Sequence, residues 1–373
     1  MRAHRTPDHA ALELLYDLFF VATLAVLTFG YSHEPTLENL AWIATVFTLV
    51  WVIWVATTLV LNLLGKDSAL IRALVIGQIL LLIAAVTATD GVYSHTYATG
   101  PLFSVTLLFL AGIYWEAQRI RPDLKSFSTT RIWACVLAAA IFAFPFYTDP
   151  GYLIFWLLGL LILIAPALRP PALESLGIDT KKLAERLGIF TAIVLGESFV
   201  KTSLSAADSN LGGLVLECVL ATLVIVLGIW WLYFANVPQD GEVSGRTAHR
   251  FWTIAHLPLH FGITGVAVGS TMAILPAVSY TAESQSTWTL VISVALVFVA
   301  LAVLEFLANE QGSRLVGALF LSAAAVTLGF GVVSATRNYF DSQLATIFLA
   351  GLMAVTVVAD YFVRTPPQLE GTK

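Results

Sequence analysis

Residues 12–21 read Leu-Glu-Leu-Leu-Tyr-Asp-Leu-Phe-Phe-Val, an apolar run that carries two carboxylates, Glu13 and Asp17. A similar stretch returns at residues 185–198, which read Glu-Arg-Leu-Gly-Ile-Phe-Thr-Ala-Ile-Val-Leu-Gly-Glu-Ser. Both stretches are hydrophobic enough to enter a bilayer, where an ionised carboxylate at the centre of a helix costs about 2.5–3.5 kcal/mol. A chain that keeps such acids pairs them or uses them, so they direct the search for a function.

The composition sets the class of protein. Hydrophobic residues make up 58% of the chain and charged residues 12%, whereas a soluble domain carries about 25% charged residues. The net charge is −5 with no basic or acidic tail, so nucleic acid is not an expected partner. Cys135 and Cys218 lie inside apolar runs, and we expect inert core residues rather than a disulfide. The first apolar run is expected to be a retained span and not a cleaved signal peptide.

About twelve apolar stretches are each close to the roughly 20 residues that a helix needs to cross a bilayer. None shows the ten-residue alternation of a membrane β-barrel, so the sequence predicts an all-α membrane protein. The predicted spans are 11–30, 39–63, 69–88, 101–118, 131–148, 151–168, 184–204, 211–235, 249–275, 287–308, 314–334 and 342–363.

The distribution of lysine and arginine supports this number of spans. If the amino terminus is placed in the cytoplasm, 17 of the basic residues fall on the inner side. Only two, Lys201 and Arg337, fall on the outer side. One missed or false span would invert every later loop and destroy this bias. The positive-inside rule therefore predicts that both termini are cytoplasmic.

The two halves of the chain share an ordered series of polar residues. Arg72 precedes Gln78 by six positions and Arg250 precedes His256 by six. The other pairs in the same order are Glu13 with Glu185, Asn62 with Asn236, and Glu116 with Glu305. Six spans in each half predict two parallel six-helix repeats about an axis along the membrane normal. The predicted organisation is a first repeat at 1–168, a cytoplasmic linker at 169–183 and a second repeat at 184–373.

Three stretches resemble signatures of the bacterial low temperature requirement protein A (LtrA) family. Residues 12–21 resemble its Glu-Leu-Phe-x-Asp-Leu-Val-Phe-Val opening, with Tyr16 where the family often has phenylalanine. Residues 185–198 resemble its Glu-Arg-Phe-Gly-Leu-Phe segment and the Leu-Gly-Glu-Ser that follows, and His256-Leu-Pro-Leu with Gly262 resembles a third landmark. The resemblance implies a polytopic protein of the bacterial inner membrane, linked by name to growth in the cold. It implies no mechanism.

Asp17 and Glu197 are the predicted titrating carboxylates. Glu13 and Asp17 are four residues apart and share a helix face, with Asp17 about 6 Å deeper in the membrane. Glu197 lies about 18 Å beyond Glu185 along its helix, near the bilayer midplane, with Lys201 one turn further on. These acids either form structural ion pairs or serve as proton or cation sites. We include Glu13 and Glu185 in the candidate site.

His256 and His260 lie one turn apart around Pro258. Either they are core histidines bonded to neighbours or they relay protons, since histidine titrates near neutral pH. The spacing matches no zinc-protease pattern, and no metal site is predicted. The supporting polar network comprises Arg72, Arg250, Gln78, Asn62, Asn236, Lys201 and His260. Glu116 and Glu305 end their spans, and we expect both side chains to be solvated.

The leading hypothesis is a secondary transporter or an ion- or proton-conducting protein. Two alternatives stay open: a membrane-embedded enzyme that acts on a lipid or prenyl carrier with His256 and a carboxylate, and a structural protein of cold adaptation. The enzyme is the second hypothesis and the structural protein the third, and a protein without catalytic activity is favoured over an enzyme. No cofactor is expected, and no Walker loop indicates ATP-driven transport. The expected partners are the lipid bilayer and an unidentified small solute or ion, and the chain is a candidate for homo-oligomerisation.

Overall fold

The structure is a computed structural model that describes residues 9–33, 35–65, 68–90, 94–95, 98–144, 151–168, 177–208, 213–238, 246–274, 280–308, 313–337, 339 and 341–364. Within these residues the chain forms twelve α-helices. They are α1 His9–His33, α2 Leu37–Leu64, α3 Ala69–Thr87, α4 Thr99–Ile120, α5 Lys125–Ala143, α6 Gly151–Leu168, α7 Thr180–Asp208, α8 Gly213–Asn236, α9 Arg246–Ile274, α10 Tyr280–Leu307, α11 Ser313–Thr336 and α12 Ser342–Arg364.

Eleven of the helices in the described residues are long and apolar enough to cross a membrane. The twelfth, α6, is apolar but shorter, at 18 residues. A short 3₁₀ turn, Pro122–Leu124, precedes α5, and a two-residue antiparallel strand pair, Thr89–Asp90 with Ser94–His95, lies between α3 and α4. The protein is therefore a multi-pass helical membrane protein, and the all-α prediction is confirmed.

Polar side chains cap the starts of several helices. The hydroxyl of Thr36 accepts a hydrogen bond from the Asn39 amide at the start of α2, and Ser68 caps α3 in the same way. The Asp179 carboxylate accepts from the Lys182 amide at 3.0 Å, so α7 begins at Thr180 rather than at 184. Such caps satisfy amides that have no partner within the helix.

The chain divides into two compact units, residues 1–183 and 184–373, called here the first and second units. In the first unit α3, α4, α5 and α6 pack in chain order, α1 lies against α2 and α3, and α2 lies against α4 and α6. An aromatic cluster joins α2, α4, α5 and α6 around the Trp156 ring. Its other members are Trp42, Phe103, Phe142 and Tyr152.

In the second unit the most extensive helix packing is between α9 and α10. A Cβ atom added at Gly262 would lie 3.0 Å from the Ser293 carbonyl oxygen and 2.9 Å from the Val297 side chain. Gly269 similarly faces Leu290. These small residues let the two backbones approach, as in other membrane helix pairs. Elsewhere in this unit, α10 packs on α11 and α8 packs on α12.

The two cysteines belong to the helix cores. Cys135 lies on α5 and Cys218 on α8, and both are buried free thiols. The prediction of core residues without a disulfide is confirmed.

Candidate functional site

Five fully buried polar or amphipathic side chains meet where α1, α2 and α3 pack together in the first unit. They form the first polar cluster, which comprises Tyr16, Asp17, Trp54, Thr57 and Gln78. None exposes as much as 1% of its surface. Buried polar groups need hydrogen-bond partners, so the geometry of these side chains determines what the cluster can bind or conduct.

Asp17 is held by an indole. The Trp54 Nε1–H donates to Asp17 Oδ1 at 2.7 Å, and both side chains are 0% exposed. This distance is at the short end of the range for an N–H···O bond, as is typical when the acceptor is charged. The bond fixes the carboxylate against α2, so Asp17 lies inside the helix packing and not on its outer surface.

Gln78 joins all three helices. Its Oε1 accepts from the Tyr16 hydroxyl at 2.6 Å and from the Thr57 hydroxyl at 3.1 Å. Thr57 and Trp54 are three residues apart on α2, so the two sets of hydrogen bonds lie on one face of that helix, one turn apart. Tyr16 and Asp17 are neighbours on α1, and α3 supplies only Gln78.

The Gln78 amide nitrogen is buried and has no hydrogen-bond partner among the described residues. The 2.6 Å contact with the Tyr16 hydroxyl is short for N–H···O and ordinary for O–H···O, which supports the placement of the oxygen on that side. Leaving a buried donor unsatisfied costs about 1–3 kcal/mol. The nitrogen is therefore a donor that a bound solute or water molecule would satisfy.

Other candidate residues lie at the ends of the same helices. Glu13 forms an ion pair with Lys182, with its Oε1 3.0 Å from Nζ. Asn62 and Asp179 form a reciprocal pair: the Asn62 amide donates to the Asp179 carbonyl, and its Oδ1 accepts from the Asp179 amide, both at 2.9 Å. Asn62 and Glu13 thus hold segment 179–182 against the ends of α1 and α2.

The second unit has its own buried cluster on its first three helices. The second polar cluster comprises Thr191 of α7, Tyr233 of α8, and Trp252, His256 and His260 of α9. The His256 Nδ1 lies 2.8 Å from the Trp252 carbonyl oxygen, which can only accept, so Nδ1 carries a proton. In the neutral ring Nε2 is then an acceptor, and the Tyr233 hydroxyl donates to it at 3.0 Å.

His260 has the opposite tautomer. The Thr191 hydroxyl donates its hydrogen to the Leu187 carbonyl, so it accepts from the His260 Nε2–H at 2.9 Å. The two histidine ring centroids are 5.8 Å apart. No group of three or more histidine, cysteine, aspartate or glutamate side chains suited to a metal ion occurs within the described part of the chain.

The remaining predicted residues lie outside these two clusters. Glu185 is exposed near the start of α7. Glu197 and Lys201 are one turn apart on α7 and both are partly exposed. Arg72 on α3 and Arg250 on α9 are also partly exposed. Asp17 belongs to the first unit and Glu197 to the second.

The expectation that Glu116 and Glu305 are solvated is wrong. Glu305 is 1% exposed because it packs near the end of α10 against α12, where Arg364 Nη2 lies 2.8 Å from its Oε1. Glu116 is 9% exposed; it pairs with Arg119 and accepts a hydrogen bond from Ser68. A carboxylate at a helix end stays buried when neighbouring helices supply a cation or a donor.

Sequence reasoning missed several of the residues in these networks, among them Trp54, Tyr233, Asp360 and Arg364. Trp54 and Tyr233 resemble the aromatic residues common in membrane spans, so no sequence signal distinguishes them. Asp360 and Arg364 are four residues apart at the end of the last span, and the Arg364 guanidinium contacts Asp360 as well as Glu305. An aspartate four residues before an arginine in an apolar stretch was the available signal.

Comparison with known proteins identifies the family. The model of the bacterial low temperature requirement A protein (LtrA) matches residues 10–361. The chain belongs to the LtrA family. It is also 27% identical over 281 residues to the uncharacterized protein RA0937 of Rhizobium meliloti (strain 1021). The aligned region covers 69% of this chain and 67% of the Rhizobium protein. Both polar clusters lie within the part of the chain that matches the LtrA model.

Proposed function

We propose that this LtrA-family protein is a secondary transporter or an ion- or proton-conducting protein of the bacterial inner membrane. The observation that carries the proposal is Asp17: a fully buried carboxylate, held by the Trp54 indole beside a hydrogen-bonded glutamine. The proposed partners of the protein are the lipid bilayer and a small solute or ion.

Energetics support a functional reading of Asp17. A charged side chain at the centre of a span costs about 2.5–3.5 kcal/mol, while a hydrogen bond to a charged group returns about 1.5–3 kcal/mol. The Trp54 bond therefore offsets part of the cost, whereas a leucine at this position would avoid the cost altogether. Intramembrane acids of this kind mark ion pathways and proton relays. Glu197, on α7, is the second proposed titrating carboxylate.

The oxygen atoms around Gln78 supply a path for a cation or a proton. Tyr16 and Thr57 present hydroxyl groups and Gln78 an amide, all inside a closed set of three membrane helices. Hydroxyl and carboxylate oxygens coordinate hard cations and exchange protons. The unused amide nitrogen of Gln78 would bind an acceptor atom of a solute or of a water molecule.

The neutral histidines of the second unit fit a proton relay. His256 accepts from Tyr233 while His260 donates to Thr191, so the two rings present opposite tautomers one helical turn apart. Both rings are fully buried, and each has a hydroxyl group hydrogen-bonded to its Nε2, which is the atom through which it would exchange a proton.

We also propose that the two units are internal repeats. In each unit the third and fourth, fourth and fifth, and fifth and sixth helices pack together, as do the second and sixth. Each buried cluster draws on the first three helices of its unit, and Gln78 and His256 occupy matching places six residues after an arginine. Six helices per unit imply the same orientation for both, and the distribution of basic residues supports cytoplasmic termini.

The contacts of His256 weaken the enzyme hypothesis. A general base must reach the proton that it abstracts, but the two nitrogens of His256 already contact the Trp252 carbonyl and the Tyr233 hydroxyl. A structural role without turnover makes a different prediction from transport, because neutral substitutions would then change stability and leave flux unaffected.

The test is ion flux in proteoliposomes. Purified protein is reconstituted with an internal pH dye and challenged in turn with proton, sodium and potassium gradients. We expect flux in the wild type and its loss in the Asp17→Asn/Glu197→Gln double variant. Glu217→Gln is the control, since it replaces a carboxylate by an amide at an exposed position on α8.

Folding of each variant is checked by gel filtration and circular dichroism before flux is compared. Equal flux in the wild type, the double variant and the control would refute the role of both carboxylates. Absence of flux under all three gradients in the wild type would refute conduction and uncoupled leak, and would favour a structural role or an obligate co-substrate.

A further inference from the structure

A second group of buried charges lies where α8, α10 and α12 end in the second unit. This carboxylate cluster comprises Asn236, Glu305, Asp360 and Arg364. Glu305 and Asp360 are each 1% exposed, and Asn236 is 5% exposed. Neither polar cluster described above includes any of these side chains.

The arginine occupies one side of both carboxylates. Arg364 Nη2 lies 2.8 Å from Glu305 Oε1, and its Nε lies 3.3 Å from Asp360 Oδ1. The Glu305 and Asp360 carboxylates therefore both pair with the Arg364 guanidinium. The other oxygen of Asp360, Oδ2, accepts from the Asn236 amide nitrogen at 3.2 Å.

Asn236 has an unused acceptor beside these acids. Its amide nitrogen donates to the Leu232 carbonyl at 2.7 Å, which fixes the orientation of the amide because a carbonyl can only accept. Its Oδ1 is buried and has no hydrogen-bond partner among the described residues. A buried carbonyl oxygen without a donor next to a carboxylate is suited to a cation.

Asn62 provides a comparison in the first unit. It lies two residues before the end of α2, whereas Asn236 is the last residue of α8, and the Asn62 Oδ1 accepts from the Asp179 backbone amide at 2.9 Å. An asparagine side chain near the end of the second helix is therefore satisfied in the first unit. In the second unit the Asn236 Oδ1 has no partner among the described residues and is available to a ligand.

The surrounding helix ends favour positive charge. α8 ends at Asn236, α10 at Leu307 and α12 at Arg364, so three carboxyl-terminal ends converge on the cluster. Each end carries a partial negative charge of about half an elementary charge and exposes carbonyl oxygens. Helix carboxyl-terminal ends and carbonyl oxygens coordinate Na⁺ in membrane transporters.

We propose that the carboxylate cluster binds one small monovalent inorganic cation through Asn236 Oδ1 and the Asp360 carboxylate. Arg364 neutralises part of the negative charge and limits the affinity. Glu305 holds Arg364 in place. The site lies at the helix ends, distinct from the first polar cluster on α1–α3.

The experiment measures thermal unfolding of the full-length protein in detergent at fixed pH and ionic strength, with choline replaced by Li⁺, Na⁺ or K⁺. A ligand that binds the folded state raises the unfolding temperature, and we expect a rise of about 2–4 °C with the preferred cation. Asp360→Asn and Asn236→Leu should abolish the rise. Asn62→Leu is the matched control, which should lower the unfolding temperature in choline and keep the cation-dependent rise.

Arg364→Gln keeps both carboxylates and tests the site if the other variants fail to fold. Its half-saturating cation concentration should fall at least about threefold, because a competing positive charge is removed. Absence of a rise with all three cations, or a rise that persists in Asp360→Asn and Asn236→Leu, would overturn the proposal. A pH-dependent rise that is independent of the metal ion and is lost in Asp360→Asn would identify a proton as the occupant, and would overturn it too.

This measurement uses no gradient and does not rest on the proposed transport function. Failure of the flux assay on Asp17 would leave cation binding in the second unit intact, and failure of the cation shift would leave the flux result intact.

Discussion

The hydrogen bond between Trp54 and Asp17 allows the charge of the buried carboxylate to be measured. Trp54→Phe removes the indole N–H that donates to Asp17 Oδ1 at 2.7 Å, and Asp17→Leu removes the acceptor. Combining both changes in a double-mutant cycle cancels the loss of packing area that each causes alone. The remaining coupling energy belongs to the bond.

The expected coupling depends on whether Asp17 is ionised. Hydrogen bonds between neutral groups of membrane helices average about 0.6 kcal/mol, because the unfolded chain in the membrane also finds partners. A hydrogen bond to a charged group contributes about 1.5–3 kcal/mol. Both side chains are fully buried, so water does not weaken the bond. We therefore predict a coupling of about 1.5–3 kcal/mol.

The assay is equilibrium unfolding of the wild type, both single variants and the double variant in mixed lipid–SDS micelles. Unfolding is followed by circular dichroism and not by tryptophan fluorescence, because one of the variants changes Trp54 itself. A coupling at or below about 0.6 kcal/mol would show that the bond is between neutral groups, and would refute the reading of Asp17 as a buried carboxylate ion.

Three further predictions concern single residues and use the same unfolding measurement. Gly262→Ala should lower the free energy of unfolding by about 1–3 kcal/mol, because the added Cβ would meet backbone atoms of α10. Gly196→Ala should raise the free energy of unfolding by about 0.5–1 kcal/mol, because a Cβ added there meets nothing within 4 Å. Equal effects of the two variants would contradict the close packing of α9 on α10. Gln78→Leu removes one unsatisfied amide nitrogen but also takes the acceptor from the buried Tyr16 and Thr57 hydroxyls, so it should cost about 1–3 kcal/mol. No measurable loss would contradict these two hydrogen bonds. Lys182→Met should change the free energy by less than about 1 kcal/mol, since the lysine that pairs with Glu13 is 30% exposed; a larger loss would mean a stronger ion pair.

The helices could be predicted because hydrophobic length is a local property of the sequence. Apolar stretches located all twelve helices, and the errors lie at the ends. α10 begins at Tyr280 rather than at 287, and α5 begins at Lys125 rather than at 131. A helix continues through polar residues until a cap stops it, whereas a hydropathy window stops at the first polar residue.

The candidate site could be predicted only in part. Asp17, Gln78 and His256 were identified because a polar residue inside an apolar stretch is visible in the sequence. Their partners Trp54 and Tyr233 were missed, because an aromatic residue that packs against lipid looks the same as one that donates a hydrogen bond. Only the packing of helices distinguishes the two.

The burial of helix-end carboxylates was misjudged for the same reason. Glu305 lies near the end of its span, and the sequence predicted contact with water. The structure buries it against Arg364, which lies 59 positions away in the chain. Long-range ion pairs depend on which helices are neighbours, and hydropathy carries no information on that arrangement.

The most direct test of the central claim is the initial flux rate of Asp17→Asn beside Asp17→Glu in proteoliposomes, normalised to folded protein. The account predicts that Asp17→Asn abolishes the flux of the wild type, whereas Asp17→Glu, which keeps a carboxylate, retains a measurable part of it. Wild-type flux in a folded Asp17→Asn protein would contradict the account, because a neutral amide at this position would then serve as well as the acid.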